Sequence, residues 1–233
     1  MTTASPPPGC PMHNGNPPAT ATDAPKQPAK CPVNHHSITT GAPLNPLNNM
    51  PELSDAPQPD QSMALPTDRV ESTIPSGDAS SSRWVYPSPQ QFYNALRRKG
   101  WETPEDHIEV MVDIHNHLNE EAWREILDWE RPHAAECATP RLLRLRGRPN
   151  DISPKSMWAQ WTKGAPKPFD RHDWYVDRCG REVRYVIDYY EAPPEGDQPV
   201  FFLDVRPAID SPTAAMDRMR AAFNRWWSPS STQ

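Results

Sequence analysis

Before Arg83 the chain has no tryptophan, tyrosine or phenylalanine, and all 9 of its tryptophans come later. Glycine is scarce, at 9 of 233 residues, whereas proline reaches 31, about half of it in the aromatic-free stretch. A segment with so little apolar surface cannot offset the entropy of ordering. Residues 1–82 are therefore expected to form a disordered, proline-rich arm. Residues 83–228 remain as one domain, long enough to bury a core, and 229–233 as a short disordered tail. Basic residues are too few for a general nucleic-acid binder: 24 stand against 30 acidic ones, a formal net charge of −6. No apolar run approaches the roughly 18 residues of a spanning helix. The first 25 residues carry neither an apolar core nor an arginine, so neither a secretory signal nor an ordinary mitochondrial presequence is expected. Four cysteines are too few for a disulfide framework.

From Trp84 the pattern changes. Ser88-Pro89 reads as N-cap and first helical position of a helix that ends at Gly100, with Phe92, Ala95 and Leu96 inward. Thr103-Pro104 opens a second helix, along which Ile108, Met111, His115 and Leu118 form an apolar stripe with a histidine in it. Asn119 suggests a fresh cap and a third helix to Glu130, with Trp123, Ile126 and Leu127 inward. Leu142–Leu145 suits a short strand, and Ser153-Pro154 opens a helix bearing Trp158 and Trp161. The period then becomes two, in Trp174–Val176, Val183–Tyr190 and Val200–Val205. Ser211-Pro212 starts a last helix with Met216, Met219, Ala222, Phe223 and Trp226 on one stripe. The expected fold is α+β, with helices packed on one face of a small antiparallel sheet.

The chain lacks a Rossmann fingerprint, a P-loop and a nucleophile elbow. What it offers is imidazole and flat rings. His115 on an apolar stripe reads either as a core histidine bonded to a neighbour or as an axial haem ligand, with Asn116 or Glu120 to fix the tautomer. In the block Phe169-Asp170-Arg171-His172-Asp173-Trp174, His172 can donate a hydrogen bond, while Arg171 or the later Arg178 can hold a carboxylate bidentately. The same block also reads as a salt-bridged strand entry. The excess of tryptophan suits either a core or the walls around a planar apolar ligand. Cys10-Pro11 and Cys31-Pro32, each followed by histidine, have the spacing of a weak zinc site or of a repeated haem regulatory motif.

Together these blocks resemble the holocytochrome c synthase family, also called cytochrome c haem lyase. The resemblance runs through the paired Cys-Pro motifs, Asn45–Pro51, Trp84–Ser88, Ile114-His115-Asn116 with Asn119-Glu120 and Trp123, Phe169–Trp174, Glu182–Val186 and Asp204–Ala208. It implies that haem b is bound and attached to apocytochrome c, apocytochrome c1 or both, in the mitochondrial intermembrane space, by an enzyme peripheral to the inner membrane. It implies His115 as the axial iron ligand, His172 as the second pocket histidine, Trp84 and Tyr86 in the first haem-contacting block, Glu120 beside the ligand and Arg178 after the second histidine. Cys10 and Cys31 would be the thiolates of the regulatory motif. The sequence departs from the pattern at His117, where relatives often carry Gln, which puts a second imidazole near the first. The rival readings are a haem sensor or carrier without bond formation and a zinc-stabilised interaction module.

Overall fold

The computed structural model describes residues 53–78, 82–148, 151–195 and 198–227. The first element among the described residues is strand β1 (Glu71–Pro75), paired antiparallel with β2 (Arg83–Val85). Folded structure thus reaches back before the expected boundary at residue 82. Ile74 supplies a core side chain from β1, and Leu65 packs with Tyr93 and Leu96. Polar side chains hold the rest, as where Asn94 donates to the carbonyls of Ser54 and Ala56. Hydrogen bonding substitutes here for the apolar surface that the composition lacks.

Helix α1 (Pro89–Arg98) starts as its sequence dictates. The Ser88 side chain accepts from the Gln91 amide, and the Gln91 side chain accepts from the Ser88 amide. Gly100 adopts φ +76°, which turns the chain after the helix. A short 3₁₀ turn then leads into α2 (Ile108–Glu130), 23 residues without a break. The expected cap at Asn119 does not form, because the Asn119 amide donates to the His115 carbonyl one turn earlier and the helix continues. Its inner face is Ala122, Trp123, Ile126 and Glu130, and Leu127 points to solvent.

Strands β3 (Arg141–Gly147), β4 (Asp170–Arg178), β5 (Arg181–Glu195) and β6 (Gln198–Pro207) make a four-stranded antiparallel meander in that order. The register pairs Trp174 with Tyr185 and Ile187 with Val205. These side chains and Val176 face α2 and form the main core with Trp123 and Ile126. The opposite face is ionic. Asp173, fully buried, meets Arg148, Arg171 and Arg184, and Asp188 meets Arg206 and Ser153. Ser153 also caps α3 (Pro154–Lys163), tying that helix to this face. Helix α4 (Pro212–Trp227) contacts β6 and is held by Asp217, which bonds His133 at 2.9 Å.

Two features of the core differ from the sequence reading. Of the tryptophans, Trp123 and Trp174 are buried, Trp84 and Trp129 partly so, and Trp101, Trp158, Trp161, Trp226 and Trp227 are exposed. Cys137 and Cys179 are joined by a disulfide, their Cα atoms 5.5 Å apart, which links the turn after α2 to the β4–β5 turn.

Candidate active site

Helix α2 packs against β6 and β1, and it approaches β4 at two levels. Near one end of the pair His115 is within electrostatic reach of His172 and Asp170. At the other, Glu130 accepts from Arg178 at 2.5 and 2.8 Å and from the Tyr185 hydroxyl at 2.5 Å. The lengths agree: fifteen helical residues rise about 22 Å, and six strand residues span about 20 Å. Strand alternation places Asp170, His172, Trp174 and Arg178 on the helix-facing side, with Tyr189 opposite Asp170 on β5.

His115 is half-buried among rings. Phe92 of α1 lies 5.5 Å from it between centroids, and Tyr86 lies 6.4 Å away edge-on. Its contacts with protein polar groups are long: 3.4 Å to Asn116, and 3.3 and 3.4 Å to the Asn119 amide. Burial pulls its pKa down to about 4, with the charges of His172 and Lys99 in the same direction and Asn116 and Asp170 opposing. The ring is therefore neutral at physiological pH, with a nitrogen lone pair available as a ligand.

His172 faces it from the strand. Its Nε2 lies 3.2 Å from Asp170, while its Nδ1 is buried without a partner. The Tyr189 ring sits 5.3 Å from His172, and its hydroxyl is likewise buried and unpartnered, with its pKa pushed up by burial and the nearby carboxylate. Such orphaned polar atoms are uncommon in folded proteins and call for a partner such as a water or a ligand. At the rim Lys99, the C-cap of α1, carries its ammonium over the Trp101 ring at 5.3 Å. Partial burial lowers its pKa, and the Asp170 charge opposes that. A porphyrin iron needs a free imidazole nitrogen, apolar walls and a cation near its carboxylates. His115, the rings of Tyr86, Phe92 and Tyr189, and Lys99 fit that description.

The remaining sequence candidates divide. Tyr86 forms part of the wall and donates to Glu120 at 2.8 Å. Glu120 does not bond His115. It accepts from Ser72, from the Thr73 amide and hydroxyl and from Tyr86, and so fastens β1 and the Tyr86 ring to α2. Trp84 donates to the Leu142 carbonyl and joins β2 to β3. Arg178 does not share the cleft, since it lies about 20 Å along β4 from His172 and its guanidinium is bound to Glu130. Arg171 points to the other face, at Asp173. His117 is exposed, which leaves His115 as the helix imidazole of the cleft. Cys10 and Cys31, with the zinc-like spacing around them, lie outside the described residues. Among the described residues no group of three or more His, Cys, Asp or Glu could hold a metal ion by itself. Sequence reasoning missed Tyr189 and Lys99. Tyr189 has the parity of Tyr185 and Ile187, a signal that was available. Lys99 had none, because Gly100 and the chain turn bring it to the rim.

A family model described as "Cytochrome c/c1 heme lyase" matches residues 1–222. The human holocytochrome c-type synthase is 43% identical over 252 residues, covering 97% of this chain and 93% of the human one. The chicken protein of the same name is 47% identical, covering 85% and 74%. The holocytochrome-c synthase of Saccharomyces cerevisiae is 43% identical, covering 87% and 89%. No solved structure matches the chain. A match that spans nearly the whole sequence, and both cleft histidines with it, leaves one assignment: the chain belongs to the cytochrome c/c1 haem lyase family.

Proposed function

We propose that this lyase joins haem b to an apocytochrome through two thioether bonds to a C-x-x-C-H segment. The observation that carries the reading is the neutral, weakly bonded His115 ring facing His172 between aromatic walls. His115 binds one axial side of the iron, and the client histidine takes the other. The client thiols then lie over the vinyl groups. Each sulfur bonds one vinyl carbon, and the thiol hydrogen ends on its neighbour, so the addition needs no oxidant or reductant. Holding thiol and vinyl together replaces a rare encounter by a local step, worth up to about 7–11 kcal/mol in model reactions. Tyr86, Phe92 and Tyr189 hold the ring and exclude water. Lys99, over Trp101, pairs with a propionate, because Arg171 and Arg178 are already bound to carboxylates.

The test is co-expression with apocytochrome c and, separately, apocytochrome c1, followed by a haem stain on a denaturing gel. Wild-type protein yields a covalent band. His115→Ala yields none and loses the histidine-type Soret spectrum while keeping its fold, since the long contacts of His115 contribute little stability. An undiminished band overturns the ligand role. The two clients run side by side settle preference between them.

The site of action we propose is the mitochondrial intermembrane space, peripheral to the inner membrane. The Cys137–Cys179 disulfide supports a compartment where thiols can be oxidised. No helix among the described residues is long and apolar enough to cross a membrane. Cys10 and Cys31 would present thiolates to iron during delivery. Opening the outer membrane of intact mitochondria should expose the protein to added protease.

A further inference from the structure

Helix α4 is inside out. Its inward residues are small or polar: Ala214 is buried, and Asp217 bonds His133. Its large apolar residues, Met216, Met219, Phe223, Trp226 and Trp227, recur at i, i+3, i+7, i+10 and i+11 on the outward side. They are between 58% and 75% exposed. The three rings at the C-terminal end cluster, with centroids 6.1 to 6.5 Å apart. A soluble helix turns such a stripe to the core, and a continuous exposed one marks an interaction surface.

The charges say what covers it. The sequence of α4 holds Arg218, Arg220 and Arg225 against the single Asp217, which already bonds His133, although the whole chain carries −6. Helix α3 repeats the pattern. Met157, Trp158 and Trp161 are exposed, and Lys155 and Lys163 lie on the same short helix. Lys155 of α3 bonds Asp204 at 2.7 Å, and the same carboxylate lies within electrostatic range of Arg218 on α4. Each helix thus presents a basic, tryptophan-bearing face in an acidic protein. An amphipathic helix with arginine flanks and aromatic tips is suited to lie in the headgroup layer of an anionic bilayer. At 16 residues α4 is about 24 Å long, enough to lie in the plane and too short to span it.

We propose that the exposed face of α4, with that of α3, is the surface by which this protein docks on membranes rich in anionic lipid. This deepens the membrane-peripheral part of the proposed function and stands apart from the role of His115. The test uses the full chain with phosphatidylcholine vesicles, with and without phosphatidylglycerol, scored by sedimentation. Wild-type protein should pellet with the anionic vesicles and be released by high salt. Met219→Gln/Phe223→Ser/Trp226→Ser should weaken partition by at least about tenfold, and Arg218→Glu/Arg220→Glu should do the same on anionic vesicles only. Both variants should bind haem with the wild-type Soret spectrum. Wild-type protein that stays in the supernatant, or a triple variant that pellets like wild type, overturns the proposal. So does a wild-type dimer in equilibrium sedimentation that the triple variant dissolves, which would make a second copy the occupant. Loss of the Soret spectrum in wild-type protein with intact vesicle binding would instead overturn the haem reading and leave this one standing.

Discussion

Glu120 shows how a residue one turn and a step from the candidate ligand acts through others. Burial alone would raise its pKa, but donors from Ser72, Thr73 and Tyr86 outweigh that and hold it below the ordinary carboxylate value. The folded protein therefore binds this proton less readily than the unfolded chain. The stabilisation is fully present above the unfolded pKa of about 4.3 and is lost as pH falls through that value to the lower folded one. Glu120→Gln should cost about 1–3 kcal/mol at neutral pH, and the gap to wild type in urea denaturation should narrow below about pH 4. Haem affinity should fall with it, because the Tyr86 ring loses its tether. Lys99 offers a cleaner residue-scale test, since its ammonium is at the rim and carries no core packing. In a Soret titration Lys99→Met should weaken haem binding by about tenfold, the scale of one charge-assisted hydrogen bond. It should leave the affinity for haem dimethyl ester unchanged, because the ester has no propionate charge to lose. Equal losses for both porphyrins would show that Lys99 acts on the fold of the rim instead.

At the scale of elements, the Glu130–Arg178 pair sets how α2 lies on β4, and thereby where His115 stands relative to His172. Both side chains are almost wholly buried. Arg178→Ala would leave Glu130 without its cation, at a cost of about 3–5 kcal/mol. Below its lowered melting temperature the variant should still give a histidine-type haem spectrum, which separates a structural arginine from a haem-carboxylate ligand. A variant of normal stability that fails to bind haem would return Arg178 to the cofactor. Nothing in the sequence around Arg178 announces this pairing, as Glu130 is 48 residues away. Local chemistry was readable. Ser88 and Ser153 cap their helices as Ser-Pro pairs do, and the period-two runs became β4, β5 and β6. Non-local chemistry was not. Asn119 looks like a cap until its amide is seen bonding within α2. Strand β1 has too few apolar residues to stand out, and Glu120 anchors it across the fold. His115 and His172 were both visible as candidates, but their shared cleft depends on the alignment of α2 with β4.

The molecule as a whole combines two opposite redox demands. In the proposed reaction the client's thiols must stay reduced to add to vinyl groups, yet Cys137 and Cys179 are joined. Distance reconciles them. Cys179 follows Arg178 at the end of β4, about 20 Å from His172, and is exposed in the β4–β5 turn, while Cys137 is buried. A client thiolate held beside His172 cannot reach the disulfide for exchange, whereas reductant in solution can reach it from the exposed Cys179 side. The cross-link spans 42 residues, for which the loop-closure estimate is about 4 kcal/mol. Cys137→Ser/Cys179→Ser should therefore lose about 2–4 kcal/mol in guanidinium denaturation under oxidising conditions. Wild type unfolded in the presence of excess dithiothreitol should fall to the stability of the double variant. In co-expression at low temperature the variant should still make holocytochrome, since no step of the proposed thioether formation uses these sulfurs. At higher temperature its yield should drop in proportion to the folded fraction. If the double variant is fully folded and inactive, the disulfide takes part in the chemistry and the separation of the two redox demands is wrong.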